Sequence, residues 1–175
     1  MAYVAALAGQ AYAFGWLGAL VILSVTAAIG VCARDYVRGV TGRRLDIVAL
    51  APVVLLLVLH NRYHYDLVFD LSLLAALAAA SASTRLGRGG RAAFFVIAAP
   101  FLYWITGGGW LLFALLGAIR EFVDRRPVAA LTRITTGAAL PWLATLTVYP
   151  GTLHDAYLSL LPLSGAYLLG DPRIV

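Results

Sequence analysis

The stretch that decides the fold is the apolar run 92–122, AAFFVIAAPFLYWITGGGWLLFALLGAIREF. At about 31 residues, the run is too long for one untilted membrane crossing of about 20 residues and too short for two. Gly107, Gly108 and Gly109 lie near its middle, and glycine is unfavourable inside a helix. The sequence therefore predicts two helices that form a hairpin at this glycine triplet.

The charges that flank this run favour the same hairpin. Arg91 precedes the run, and Arg120, Arg125 and Arg126 lie at or after its end. Cytoplasmic loops of membrane proteins carry an excess of Arg and Lys. A single crossing would place one of the two arginine groups outside the cell, whereas a hairpin keeps both groups inside.

The composition of the whole chain agrees with a membrane protein. The 175 residues are 62% hydrophobic and 12% charged, whereas soluble domains are roughly 45–50% apolar and about 25% charged. These values exclude a soluble enzyme and a disordered tail. The single cysteine, Cys32, excludes an internal disulfide and a multi-cysteine metal site. The thirteen basic residues, all arginine, lie between apolar runs, so the expected partner is membrane lipid and not nucleic acid.

We expect an all-α, polytopic transmembrane bundle of about seven segments that forms one domain over residues 1–175. The predicted segments are 11–31, 45–60, 67–83, the two halves of 92–122, 127–149 and 155–169. The count falls to six if the glycine hairpin is re-entrant. The chain is either complete or the N-terminal membrane part of a longer protein.

The arginines orient this bundle with its N-terminus outside and its C-terminus in the cytosol of a bacterial inner membrane. In that orientation eleven of the thirteen arginines lie in inner loops: Arg34, Arg38, Arg43, Arg44, Arg85, Arg88, Arg91, Arg120, Arg125, Arg126 and Arg173. Because no basic residue precedes the first apolar stretch, we expect no cleaved signal peptide.

All three histidines fall on the predicted outer side. His60 and His64 share a loop with Arg62 and Asp66, and His154 lies in another loop. A continuous helix would place His60 and His64 on one face, where they could handle a proton or contact a metal. Arg62 could instead hold a lipid head group, or the whole patch could be an interfacial belt. Since the sequence supplies no third ligand, we predict no metal.

Asp70 is the sharper candidate, because it lies about one turn inside a predicted segment. A carboxylate at membrane depth is costly and is usually paired or functional. Asp70 is therefore either a catalytic base or one half of a structural pair, with Arg62 or with another helix.

The glycine triplet 107–109, with Trp104 and Trp110 beside it, is the second candidate and opens on the same outer side. The helix after it has only about eleven apolar residues before Arg120, or roughly 17 Å against a hydrocarbon core of about 30 Å. The loop would then lie below the surface, where its backbone amides could hold a phosphate or a lipid head group. The alternative is a tight hairpin whose glycines only allow close packing.

The polar residues at the inner end receive no catalytic role. Arg120, Glu121 and the run 124–126 are predicted to form surface ion pairs. Arg133 is expected to extend its charge toward the cytosolic surface, or to line a polar path with neighbouring threonines.

Three stretches resemble a family of uncharacterised bacterial multi-pass inner-membrane proteins, mostly from Bacteroidetes. They are LHNRYHYD at 59–66, FLYWITGGGWLLFAL at 101–115 with Glu121 after it, and DAYLSLLP at 155–162. The resemblance covers roughly residues 55–165. It implies a membrane protein without assigned activity, so no catalytic residue or cofactor is implied by it. Members of the family look longer than this chain.

Three functions remain open at this point. The first is an accessory or structural subunit that contacts other membrane subunits or a second copy of itself. The second is an enzyme acting on a lipid-linked, phosphate-containing substrate at the outer leaflet, with Asp70 or Asp66 as base, His60 or His64 as proton partner, and Arg62 with the glycine loop holding phosphate. The third is a small transporter or a component of a proton-coupled permease. A polar path from Asp70 to Arg133 would favour transport.

Overall fold

The structure is a computed structural model that describes residues 6–7, 10, 13–43, 45–60, 67–106 and 108–147. Within these ranges the chain contains helices and no strands. Six helices lie between residues 15 and 147: α1 Gly15–Thr41, α2 Asp46–His60, α3 Leu67–Thr84, α4 Arg88–Thr106, α5 Gly109–Val123 and α6 Pro127–Thr147. The all-helical class predicted from the composition is thus confirmed.

The predicted break in the run 92–122 is also confirmed. Helix α4 ends at Thr106 and α5 begins at Gly109, so the glycine triplet separates two helices. The second and third predicted segments match α2 and α3 closely, and the sixth begins at Pro127 as predicted. The predicted seventh segment, 155–169, lies outside the described residues.

The first predicted segment, 11–31, ended too early. Helix α1 continues to Thr41 and includes Arg34 and Arg38, because arginine is a good helix former even where the apolar run has ended. The helix stops at Gly42, whose φ of 67° is left-handed and whose N–H donates to the Arg38 carbonyl. Glycine adopts this conformation without the strain that a side chain would bring.

Three of the helices, α1, α3 and α4, are long and apolar enough to cross a membrane. Helix α2 is apolar as well but shorter. Large apolar side chains point outward on several helices, among them Ile47, Trp104 and Val128. An apolar exterior of this kind is typical of a protein surrounded by lipid, since continuous apolar patches are rare on soluble monomers.

Helix α3 lies at the centre of the bundle and packs against α1, α4 and α5. Its Ala76 and Ala80 are fully buried, and such small residues let neighbouring helices approach closely. The aromatic rings of Phe95 and Phe113 stack beside them with centroids 5.5 Å apart. The core therefore joins a small-residue face of α3 to aromatic faces of α4 and α5.

Successive helices run antiparallel, so the polar residues near their termini lie at the two ends of the bundle. One end, here called the arginine end, contains Asp35 with Arg85 at 2.9 Å and Arg91 with Asp124 at 2.8 Å. The opposite end, here called the histidine end, contains the end of α2, the start of α3 and the α4–α5 hairpin. The structure thus groups the arginine-bearing helix ends as the charge pattern predicted, while their side of a membrane stays a prediction.

Candidate functional site

The centre of the histidine end is a contact between His60 and Asp70. His60 is the last residue of α2, and Asp70 lies in the first turn of α3. Nε2 of His60 lies 2.8 Å from Oδ2 of Asp70. Asp70 is 0% exposed, whereas the His60 side chain is 14% exposed. Of the predicted outer-side cluster, the structure therefore brings these two residues together.

The second ring nitrogen of His60 has its own partner. Nδ1 lies 2.8 Å from the backbone carbonyl oxygen of Leu56, one turn earlier in α2. Because a carbonyl can only accept a hydrogen bond, Nδ1 must carry a hydrogen. This contact orients the imidazole and directs Nε2 at the carboxylate of Asp70.

The start of α3 contacts the α4–α5 hairpin through Ser72. The Ser72 hydroxyl donates to the carbonyls of Val68, at 2.8 Å, and Thr106, at 3.3 Å. A Cβ at Gly109 would lie 2.8 Å from the Thr106 hydroxyl oxygen and 2.9 Å from the Ser72 carbonyl oxygen. Gly109 therefore permits a close approach of α5 to α3, which is the packing role that the sequence left as one of two alternatives.

The two tryptophans beside the glycine triplet do not share a surface. Trp104 is 83% exposed, whereas Trp110 is 0% exposed and packs edge-on against Tyr103 with ring centroids 5.9 Å apart. Gly108 precedes α5 in a right-handed helical conformation. Arg62, His64, Asp66, Gly107 and His154 lie outside the described residues.

An open hollow of about 550 Å³ lies beside His60 on the surface of α2. The described residues that line it are Val54, Leu57, Val58 and His60. Within the part of the chain that the structure describes, no three His, Cys, Asp or Glu side chains come together as a metal site.

At the arginine end, Glu121 belongs to a buried network and not to a predicted surface pair. Glu121 and Arg133 are only 4% and 7% exposed, and Nη2 of Arg133 lies 2.7 Å from Oε1 of Glu121. Arg91, also buried, contacts Asp124 at 2.8 Å and approaches Glu121 at 3.8 Å. Arg120 donates to the carbonyls of the last turn of α1. The prediction of solvated pairs was therefore wrong for Glu121.

The burial of Glu121 follows from its position on α5. The buried residues of this helix are Trp110, Phe113, Ala114, Gly117, Ala118 and Glu121. Their spacing of three and four residues marks one helix face. Glu121 continues that face at its C-terminal end, a signal that was present in the sequence.

Arg133 does not extend to the surface as expected. Its guanidinium lies 5.0 Å from the ring centroid of Phe95, and a Cβ at Gly117 would lie 2.8 Å from its Nη1. The missing side chain at Gly117 therefore makes room for the guanidinium inside the bundle, where Glu121 balances its charge.

Asp124 lies at the end of α5, between the buried network and solvent. Burial alone would raise the pKa of its carboxyl. The hydrogen bond from Arg91 and the nearby charges of Arg120, Arg91 and Arg126 outweigh that effect and hold the pKa of Asp124 below its usual value. Asp124 is thus ionised and paired under ordinary conditions.

A family model described as a family of unknown function (DUF6057) matches residues 1–172, and the chain belongs to that family. The match confirms the resemblance to an uncharacterised family and extends it from residues 55–165 to nearly the whole chain. No curated protein and no solved structure matches the chain.

Proposed function

We propose that this chain is a membrane-embedded accessory subunit, which supports the assembly of a membrane complex and carries out no chemistry itself. The observation that carries the proposal is the way the chain distributes its polar groups. The buried charges contact one another inside the bundle, while large apolar side chains cover the outside. A surface built in this way offers contacts to lipid and to other helices.

The apolar layer between the two ends argues against transport through this chain. Along the buried face of α5, Gly109 lies beside Ser72 and Gly117 lies beside Arg133. Between these glycines the same face buries Trp110, Phe113 and Ala114. Over this distance, about 12 Å along the helix, the face carries no charged or hydroxyl side chain, and its polar group is the buried indole N–H of Trp110.

Helix α2 supports a role in assembly. It packs mainly against α1, and its 15 residues span about 22 Å, less than a hydrocarbon core of about 30 Å. Ile47, Leu55 and Val58 on this helix remain exposed. A short apolar helix with one main neighbour fits the edge of a bundle that another subunit covers.

The expected setting is the bacterial inner membrane, with the arginine end in the cytosol and the histidine end outside. The outer end would then carry His60, Asp70 and the α4–α5 hairpin. The orientation rests on the charge distribution of the loops.

A native-complex experiment tests the accessory role. The chain is tagged at its chromosomal locus, extracted in a mild detergent and separated on a native gel. We expect it to migrate with other membrane proteins well above the size of a monomer, and we expect those proteins to become less abundant when the gene is deleted. Migration as a monomer, with no protein affected by the deletion, would contradict the proposal.

A second candidate is the enzyme acting on a lipid-linked, phosphate-containing substrate, with Asp70 as base. The contact of Asp70 with His60 favours it, because a general base must lie within hydrogen-bond reach of its proton relay. Asp70→Asn separates the two functions. If the variant is present at normal abundance and the complex forms while the cell behaves like the deletion strain, the result favours the enzyme over the accessory role.

A further inference from the structure

We propose that the arginine end contains a binding site for an anionic phospholipid, whose phosphate is held by the start of α4 and the turn between α5 and α6. The inference rests on the proposed membrane location and goes beyond the accessory role, since it names a ligand whatever the chain assembles with. Two observations carry it: an excess of arginine over carboxylate, and apolar side chains exposed beside the arginines.

The buried layer of this end contains more hydrogen-bond donors than acceptors. Arg91, Arg120 and Arg133 contribute five N–H groups each, and the carboxylates that contact them are Glu121 and Asp124. Arg120 also donates to two backbone carbonyls of α1. Nε of Arg91 and Nε of Arg120 are still buried without a hydrogen-bond partner among the described residues. Two carboxylates therefore do not balance three guanidinium groups.

Three further arginines extend this excess to the surface. Arg88 begins α4 one turn before Arg91, and Arg125 and Arg126 form the turn that leads into α6. Arg88 and Arg125 are exposed, and Arg126 is partly exposed. None of the three has an ion-pair partner among the described residues. Six arginines from α4, α5, α6 and the connecting turn thus share two carboxylates.

The other described carboxylates of this end do not correct the imbalance. Asp35 contacts Arg85 at 2.9 Å, and Asp46 contacts Arg34 at 2.9 Å. Each of these two carboxylates therefore already has an arginine of its own.

Asp124 connects the buried layer to the surface. Its carboxylate contacts Arg91 at 2.8 Å and Arg120 at 3.4 Å, and its side chain is 26% exposed. Arg126 is close enough for its charge to help lower the pKa of Asp124. Several guanidinium groups therefore converge on one partly exposed carboxylate, beside which a second oxyanion would find further N–H donors. Phosphate oxygens suit such donors, because guanidinium groups bind them through charge-assisted hydrogen bonds.

The apolar neighbours of the turn favour a phospholipid over a soluble phosphate. Phe122 and Val123 precede the turn and Val128 follows it, with exposed fractions of 69%, 50% and 78%. A soluble anion gains nothing from these side chains, whereas a phospholipid carries acyl chains beside its phosphate. Basic residues at the end of a membrane helix attract anionic lipids, and each contributes about fivefold to binding.

A triple variant tests the site without altering the buried network: Arg88→Gln, Arg125→Gln and Arg126→Gln. The matched control removes three arginines at and after the end of α1: Arg34→Gln, Arg38→Gln and Arg43→Gln. Each full chain is purified in a non-ionic detergent and mixed with equal amounts of phosphatidylglycerol and phosphatidylcholine, and the bound lipids are counted by native mass spectrometry.

We expect the wild type and the control to prefer phosphatidylglycerol, and we expect the triple variant at the site to lose that preference by about tenfold or more. An equal loss in both triple variants would overturn the proposal, because it would mean that the total charge of this end attracts the lipid and that no local site exists. A wild type without preference would overturn it as well.

Inorganic phosphate and glycerol 3-phosphate distinguish the source of the phosphate group. We expect neither compound, added in excess, to displace phosphatidylglycerol, because both lack acyl chains. Displacement by either one would assign the site to a soluble phosphate and overturn the proposal. Reconstitution of the wild type in phosphatidylcholine nanodiscs separates this inference from its premise. A chain that does not insert contradicts the membrane location, whereas an inserted chain without lipid preference contradicts the lipid site alone.

Discussion

The two polar ends of this bundle use different chemistry to hold helices together. At the arginine end, five side chains from α4, α5 and α6 share their contacts: Arg91, Arg120, Glu121, Asp124 and Arg133. At the histidine end, one imidazole and one carboxyl contact each other. Arginine stays charged at any ordinary pH, so the ion pairs of the first end contain a permanent positive charge, whereas an imidazole is charged only when it is protonated.

The comparison indicates how buried charge can be tolerated at each end. Glu121 at the arginine end has two arginines within 4 Å, and loss of one contact leaves another. Asp70 at the histidine end has the imidazole of His60 as its described ion-pair partner. The shared contacts of Glu121 therefore make the arginine end less dependent on any one arginine.

The largest effect should come from breaking the charge balance of the arginine end. Glu121→Gln leaves Arg133 and Arg91 buried with Asp124 as their remaining carboxylate. We expect a loss of about 3 kcal/mol in the free energy of unfolding, since removing one partner of a buried pair leaves an uncompensated charge. Thermal or denaturant unfolding in detergent measures it.

The matched control is Asp35→Asn, which removes the carboxylate from an exposed pair with Arg85. Exposed pairs contribute about 0–1 kcal/mol. If Glu121→Gln costs no more than Asp35→Asn, the buried network does not stabilise the arginine end and the contrast between the ends fails.

The next largest effect should come from replacing a glycine by alanine where two helices are in close contact, at either end of the bundle. A Cβ at Gly39 would lie 2.7 Å from the Cβ of Thr84, and one at Gly109 would lie 2.9 Å from the Ser72 carbonyl oxygen. Because neither neighbour is the far end of a flexible side chain, Gly39→Ala and Gly109→Ala should each cost about 1–3 kcal/mol. Gly15→Ala, with open space around it, should cost nothing in the same assay.

Acid should weaken the arginine end to a smaller extent. The pKa of Asp124 is held below its ordinary value by the Arg91 hydrogen bond and the neighbouring arginine charges, against the opposing effect of burial. Its contribution to stability is therefore present above the ordinary aspartate pKa of about 4 and is lost as pH falls through the lower folded value.

Asp124→Asn provides the comparison for this acid titration. Its unfolding free energy should change less between pH 5 and pH 2 than that of the wild type. Identical acid dependence in the two proteins would mean that Asp124 is not the group that links the arginine end to pH.

The smallest effect concerns the turn between α5 and α6. Arg125 has a φ of 58°, a left-handed conformation that glycine adopts without strain. We expect Arg125→Gly to stabilise the chain by about 1 kcal/mol, although it removes a charge from the arginine end. A loss of stability would show that the charge of Arg125 belongs to the network.

The apolar runs and the glycines of the sequence predict much of the fold. The break between Thr106 and Gly109 follows from a run too long for one helix and from three consecutive poor helix formers. The apolar run predicts an end of the first segment about ten residues before the end of α1, because the run stops before Arg34 and Arg38. A charged residue marks the edge of an apolar run, which is not the same as the end of a helix.

The polar contacts could be predicted from the sequence only in part. The face of α5 that contains Phe113, Gly117 and Glu121 was visible as a spacing of four residues, but Glu121 was judged by its charge alone. The sequence names His60 and Asp70 as candidates, yet their direct contact depends on how α2 and α3 lie relative to each other, and spacing alone does not reveal that. The number of membrane segments and the orientation stay predictions.

The central claim is that a bilayer separates the arginine end from the histidine end, and cysteine labelling tests it most directly. Gly15 at the histidine end and Gly87 at the arginine end both have open space around them. Each is replaced by cysteine in a Cys32→Ser background, and intact spheroplasts are treated with a membrane-impermeant maleimide. We predict that Gly15→Cys is labelled at once and Gly87→Cys only after the membrane is opened. Labelling of both positions from the outside, or of Gly87→Cys alone, would contradict the account.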